Sequence, residues 1–565
     1  MPIFQNPQWL ANRVLLLLCL VLPWLNPFTS APSSSVIPLL LSWMLVACAL
    51  LLVVDEPLSK PAVGKALSDG QRQWRVATLP WGVLLLGWFG AALVTVPQVI
   101  DRALTAGVVA ACACIWIAIQ MGKRAAQPNN GLLVWVLAAW LLAALLSSVL
   151  AVLQYLDMAR ELTPWVNQPR AGEAFANLRQ RNQFASLTSI GLIALFGLVA
   201  MAPNCAQRYA VWVWAALALL AAGVSCSASR TGTLEWGVLF LWVAWWWQRR
   251  KDVPPMFMQL AVVALVFLTI WTLAMPWFAL HLKGIEGSSV WLRMAQHLQN
   301  DAPCAGRRVL WDNVLQMLVQ RPWLGWGLGE TDFAYYSTNF NGERFCELVD
   351  NAHNFPLHMA LEFGVPFTLA CAAWVLFILQ KYRVWHMPRM EQRIAFAVML
   401  ILGIHSMLEY PLWYGPFQIT LGLALGLWMG CNAQPDPQAS AHSPSREAIV
   451  CAVLFLACLY AAWEYNRVAQ VYRPAALRDA AYRDNPLQSA ETAWLFKNQV
   501  DFANLMTRTI TVDNAVDSYD LAMRVLHYSP EPRVVARAVE SLQKLGRLEQ
   551  AEALSRRMET TAPSK

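Results

Sequence analysis

Charge is what this sequence has least of. Of its 565 residues only 14 % are Asp, Glu, Lys or Arg, while 57 % are hydrophobic and 29 are Trp. A soluble fold cannot cover so much apolar surface with so few charges, which excludes an ordinary globular protein. Two signatures are also missing: a glycine-rich phosphate loop and any metal-ligand spacing. Nucleotide chemistry within the chain is therefore not expected, and no cofactor is. No run of Lys and Arg is dense enough to track a phosphate backbone, so no nucleic-acid partner is expected, and the net charge of +7 suits a membrane face. The apolar runs do not alternate with polar residues, which favours helices over barrel strands as the spanning elements. The first run, Val14 to Leu22, has no convincing small-residue cleavage site after it and reads as a retained helix.

What the chain does have is length in its apolar runs. A bilayer core of about 30 Å asks for roughly 20 such residues per helix. About thirteen segments qualify, near 13–28, 36–54, 79–97, 103–121, 132–154, 184–202, 209–226, 232–247, 257–279, 355–380, 394–409, 414–431 and 448–464. The run 394–409 is the weakest, because His405, Glu409 and Pro411 crowd its end. The fold class expected is all-α: a polytopic transmembrane bundle of about 12–13 spans with a long outer loop and a C-terminal helical-hairpin region. Residues 1–464 form the membrane domain, with the outer loop at 280–354, and 465–565 form the tail. Within the tail, residues 534–542 and 548–558 read as one tetratricopeptide-like helix pair. A Pro/Ser-rich linker from Gln434 to Ser445 precedes the last span.

Basic residues orient the bundle. With the N-terminus in the cytoplasm, Lys60, Lys65, Arg72, Arg75, Lys123, Arg124, Arg208, Arg249, Arg250, Lys381, Arg383, Arg389 and Arg393 all fall on the inner face. Arg170, Arg179, Arg181, Arg230, Arg307 and Arg308 fall on the outer face, against the rule, and need a local reason. A guanidinium binds phosphate oxygens bidentately and stays charged at any working pH, so several at one surface suit an anionic lipid head group. Each alone would equally snorkel to the interface or pair with a carboxylate.

The outer loop ends at Asp350-Asn351-Ala352-His353-Asn354, just before a span. His353 can take a proton from a hydroxyl at neutral pH. The same cluster can equally serve as a helix cap, through Asn351 or Asn354. His405 sits near the outer end of a span, where an ionisable residue is costly and often functional. Tyr410 and Tyr414 form an aromatic, partly acidic cluster at that face, or an interfacial aromatic belt. Of twelve cysteines, Cys304 and Cys346 stand apart in the polar outer loop, where an oxidising compartment would let them pair; the other reading is two free thiols.

These motifs together resemble the O-antigen ligase and polymerase superfamily of bacterial inner-membrane glycosyltransferases, and within it the protein O-oligosaccharyltransferases that glycosylate pilins and other periplasmic proteins. The segments that carry the resemblance are NLRQRNQF (Asn177 to Phe184), Ser229 to Gly232, Arg307 to Gly329, DNAHNFPLHMALEFGVP (Asp350 to Pro366) and HSMLEYPLWY (His405 to Tyr414). They span roughly residues 175–415, in order and on one expected face. The resemblance implies a glycan donor on undecaprenyl diphosphate, a periplasmic or pilin acceptor protein, and transfer at the periplasmic face of the inner membrane. It implies His353 as general base, with Arg230, Arg179, Arg181 and Arg307 or Arg308 on the diphosphate. Gln183, Asn354 and Tyr410 would position donor or acceptor. Competing readings are ligation to the lipid A core, polymerisation of glycan repeats, and a lipid-linked glycan transporter. The transporter is disfavoured because the charges cluster in outer loops and no internal repeat is visible.

Overall fold

The structure is a computed structural model that describes residues 7–54, 90, 101–127, 131–249, 255–299, 304, 306–381, 384–385, 387–432 and 444–561. Among the described residues the regular elements are helices, with no β-strand. The first half of the bundle comprises α1 (Pro7–Leu25), α2 (Val36–Leu51), α3 (Arg102–Ala125), α4 (Leu132–Tyr155), α5 (Arg181–Met201), α6 (Ala210–Ser227), α7 (Arg230–Arg249) and α8 (Pro255–Lys283). Three loop helices follow: α9 (Val290–Gln299), α10 (Arg307–Gln320) and α11 (Thr331–Ser337). The second half comprises α12 (Phe355–Phe363), α13 (Val365–Lys381), α14 (Met390–Leu408), α15 (Gly415–Asn432) and α16 (Pro444–Tyr472). Eight of these, α1, α3, α4, α5, α6, α8, α14 and α16, are long and apolar enough to cross a membrane, and α2, α13 and α15 are shorter apolar helices. The expected span at 79–97 lies outside the described residues.

One expectation fails in form. The apolar run 355–380 is two helices, α12 and α13, broken at Gly364. Gly364 has φ +89°, and a Cβ there would stand 2.1 Å from the Trp323 carbonyl oxygen, so only glycine fits. The turn Pro322–Gly327 docks on this break. Val365 N–H donates to the Pro322 carbonyl (2.8 Å) and Trp326 N–H to the Leu361 carbonyl (2.8 Å). Apolar periodicity is blind to such a break, because the residues on both sides remain apolar. The weak run before Glu409 does form a helix, α14, and stops at Leu408.

The helices that carry the site are tied together one turn below their ends. Gly232 lets α7 approach α5 closely, since a Cβ there would meet the Ala185 Cβ at 2.5 Å. Glu235 on α7 accepts hydrogen bonds from Ser186 (2.6 Å) and Ser189 (2.7 Å) on α5. Ser186 Oγ also meets His405 Nδ1 on α14 at 2.8 Å. A buried carboxylate needs partners of this kind. This polar tie fixes α5, α7 and α14 relative to one another.

The tail holds four consecutive helices, α17 (Lys497–Thr507), α18 (Ala515–Leu526), α19 (Pro532–Lys544) and α20 (Leu548–Thr561). Helix α16 runs through the expected boundary at 464–465, where Glu464 lies. Its buried carboxylate accepts the N–H groups of Trp494 (2.9 Å), Leu495 (2.7 Å) and Phe496 (2.9 Å), charge-assisted bonds that anchor the start of the tail. The tail also braces the loop. His527 Nδ1 meets Glu330 Oε2 at 2.7 Å, its ring stacks on Phe333, and Arg557 donates to the Ser337 carbonyl (2.8 Å).

Candidate active site

The charged and polar groups of the outer face converge at helix ends. Helices α5, α7, α10 and α12 begin there and α14 ends there. The N-terminus of a helix presents unpaired N–H groups and a partial positive charge, so four of them favour an anion nearby.

Glu409 is the hub, and sequence reasoning gave it no role of its own. It is 7 % exposed and follows the last residue of α14. Its Oε2 meets His353 Nδ1 at 2.6 Å and accepts from Gln180 Nε2 at 3.2 Å. Its Oε1 accepts from Arg307 Nη2 at 2.9 Å and from Asn182 Nδ2 at 3.0 Å. Burial opposes its ionisation, but the hydrogen bond from His353 and the charges of His353 and Arg307 outweigh that. The carboxyl is thus held below the usual range and is ionised at neutral pH. An ionised Glu409 can only accept, so the proton of a neutral His353 sits on Nδ1 and leaves the Nε2 lone pair bare. Nε2 makes no hydrogen bond to any described residue.

The backbone around His353 is constrained. His353 has φ +49°, as unusual for its residue type as Arg179 at +59° and Ala228 at +49°, each a few residues from a site helix. The His353 N–H donates to Asn351 Oδ1 (2.8 Å). Asn354 caps α12 by accepting from Leu357 N (3.0 Å), and its amide donates to the Met407 carbonyl (3.1 Å). Trp311 Nε1 holds the Ala352 carbonyl (3.0 Å), and the Tyr410 ring meets the imidazole edge to face at 5.1 Å. The capping reading holds for Asn354, and the cap leaves the His353 ring pointed at Glu409. His358 is buried beside Glu362 and Trp413 and lies off the site.

The outer arginines part into groups. Arg307 faces Glu409, whereas Arg308 is exposed and bonds no described residue. Arg230, at the first turn of α7, is exposed and makes no hydrogen bond or ion pair to any described residue. Its neighbour Ser229 donates to Asn182 Oδ1 (2.7 Å), and Asn182 in turn donates to Glu409, so the Arg230 end and the His353 end are joined through one amide. Arg181 lies 3.6 Å from Glu173. Arg179 is half-buried with Nη1 unpartnered, and burial pushes its guanidinium down while the Tyr414 phenol opposes this. Gln183 is buried beneath, against Tyr414. Cys304 and Cys346 are joined by a disulfide, Cα to Cα 5.2 Å, closing the loop just before α10. Among the described residues no group of His, Cys, Asp and Glu could hold a metal ion.

With this geometry in place, comparison with known proteins is specific. Residues 215–373 match the O-antigen ligase family, residues 174–196 the protein glycosylation ligase family, and residues 394–563 the C-terminal region of virulence factor membrane-bound polymerases. The general O-oligosaccharyltransferase of Acinetobacter baylyi is 24 % identical over 480 residues, covering 82 % of this chain and 77 % of its own length. The first two matched segments contain Arg179, Arg181, Arg230, Arg307 and His353, and the third contains Glu409 and Tyr410. Helical membrane architecture, segments that match the O-antigen ligase and protein glycosylation ligase families, and similarity to an oligosaccharyltransferase over 82 % of the chain together support a glycosyl-transferring membrane enzyme.

Proposed function

We propose that the protein transfers a preassembled glycan from undecaprenyl diphosphate to a Ser or Thr hydroxyl of a periplasmic protein such as a pilin. The observation that carries this reading is the His353–Glu409 pair at 2.6 Å, joined through Asn182 to Ser229, the neighbour of the unpaired Arg230. His353 Nε2 takes the proton of the acceptor hydroxyl as the oxygen attacks the anomeric carbon. The bond from that carbon to the diphosphate oxygen breaks, and the electron pair leaves with the lipid diphosphate. Glu409 holds the imidazole in the required tautomer and stabilises the imidazolium that forms. Arg230, aided by Arg179, Arg181 and the part of Arg307 not engaged by Glu409, receives the charge growing on the leaving group. Tyr410 packs on the His353 ring, and Asn354 and Asn182 hold the frame.

A protein acceptor is favoured by the relative's name and by the protein glycosylation ligase match. The test is co-expression with a lipid-linked glycan pathway and a candidate pilin, read as a mass shift on the pilin. His353→Ala is expected to lower transfer by about 10²- to 10⁴-fold. Unchanged transfer in that variant would remove the base assignment, and modification of lipid A alone would move the acceptor to the lipid.

A further inference from the structure

Helix α9 has no place in the chemistry above, yet it is held against it. Ser288, two residues before the helix, donates its N–H to the Gly172 carbonyl (2.9 Å), and its own carbonyl accepts from the Tyr155 hydroxyl (2.7 Å). Ser289 Oγ caps the first turn through Leu292 N (3.2 Å). These bonds pin the start of α9 to the segment that carries Glu173, the partner of Arg181. The helix then divides by face. Val290 is buried and Arg293, three residues on, is half-buried on the same side. Trp291, Leu292 and Met294 are 62 %, 47 % and 43 % exposed. An amphipathic helix at the end of a spanning helix, with bare apolar side chains, lies in a lipid surface.

The buried side faces an uncompensated charge. Burial pushes the Arg293 guanidinium down to about 10, Arg181 and Arg230 press the same way, and Glu173 alone opposes them. Arg293 thus lies near Arg181, Glu173 and Arg230; Glu173 is paired with Arg181, and Arg230 has no hydrogen bond or ion pair to any described residue. Like charges gathered in a half-buried site are repulsive unless an anion joins them. A diphosphate diester carries two negative charges at neutral pH, and its lipid chain would lie where Trp291, Leu292 and Met294 already face the membrane.

We propose that α9 is a donor-binding element that rests in the lipid surface on Trp291 and Met294 and presents Arg293, beside Arg181 and Arg230, to the diphosphate of the lipid carrier. This deepens the function proposed above and rests on its choice of a lipid diphosphate donor. Arg293 recognises the donor and does not touch the acceptor.

The test separates binding from chemistry. The full chain carrying His353→Ala, in nanodiscs of zwitterionic lipid, is titrated with farnesyl diphosphate, farnesyl monophosphate and inorganic pyrophosphate. Adding Arg293→Ala should weaken farnesyl diphosphate binding about 10- to 100-fold, the range of one charge-assisted contact, and Arg293→Lys should recover part of it. Trp291→Ala should weaken farnesyl diphosphate and leave pyrophosphate unchanged. In the otherwise native enzyme, Arg293→Ala should raise the donor KM and leave the acceptor KM alone. Equal affinity for farnesyl diphosphate with and without Arg293 overturns the proposal. So does displacement of farnesyl diphosphate by phosphatidylglycerol in the nanodisc, which would make α9 a site for bulk anionic lipid. Thermal unfolding of each variant identifies misfolding, and in that event Arg293→Lys and Arg293→Gln decide by the same criterion. Because no turnover is needed, failure of the His353 assignment leaves this result standing, and the reverse also holds.

Discussion

At the end of the bundle remote from His353, Arg124 holds the buried Glu447 with Nη2 and Nη1, and Arg389 reaches the carbonyls of Ala126 and Cys431. Arg393 donates to the Met387 carbonyl and lies 4.6 Å over the Trp246 ring. At the His353 end, Arg230 and Arg308 bond no described residue, and Arg293 lies near Arg181, Arg230 and Glu173. The sign of charge is the same at both ends. What differs is whether the protein supplies the counter-charge. Where it does, the arginine is part of the fold; where it does not, and the guanidinium lies beside other site arginines as Arg230 does, it is left for a ligand. Exposure alone does not mark that difference, since Arg307 is half-exposed and still bonded to Glu409.

The contrast can be broken most directly at Arg124. Arg124→Ala leaves Glu447 buried without its cation, a change that typically costs about 3–5 kcal/mol. The thermal midpoint in detergent should fall, while transfer per folded molecule stays at the native level. A variant of normal stability with lost transfer would erase the distinction between the ends. Arg230→Ala should do the opposite: an unchanged midpoint and transfer lowered about 10²- to 10³-fold, as for loss of one group that stabilises transition-state charge. Arg308→Ala is the control at the same end, with stability within about 0.5 kcal/mol and transfer unaltered.

Between these lies Glu409→Gln. It keeps the shape of the hub and removes its charge, so transfer should fall about 10- to 100-fold, as when an orienting partner is lost. It also carries a pH signature. Glu409 titrates below its ordinary value of 4.5 in the folded protein, so its contribution to stability is complete above that value and is lost as pH falls through the lower, folded one. The native protein should lose thermal stability across that acid window. Glu409→Gln should lack this component, and the two unfolding curves should converge at the acid end. Parallel curves at all pH would mean that the carboxylate is not held by His353 and Arg307.

Much of this site was legible in the chain because of what a bilayer forbids. Basic residues on the expected outer face run against the charge bias, and that alone singles out Arg170, Arg179, Arg181, Arg230, Arg307 and Arg308. His353 stood out for a similar reason, as a titratable group at the edge of an apolar run. Glu409 was visible only as a blemish at the end of the weakest span. The signal that should have promoted it is energetic: a carboxylate that close to the apolar core must have cations, and the sequence offered outer arginines and a histidine to supply them. Arg293 carried no such signal, because its helix falls in a polar loop where one more arginine is ordinary.

The sequence by itself determined that this protein is helical and membrane-embedded, because continuous apolar length and scarce charge admit no other solution in lipid. It also singled out some of the outer residues that could titrate or bind an anion, though not Glu409 or Arg293. Only the tertiary structure decided which of them meet. Arg307 was turned to Glu409 and Arg308 away by the phase of α10, and the span after His353 was cut at Gly364 by the packing of Trp323. The hub itself joins residues more than a hundred positions apart, from Asn182 to Arg307 to Glu409, and such pairings depend on how helix ends are stacked, which no local pattern of side chains records.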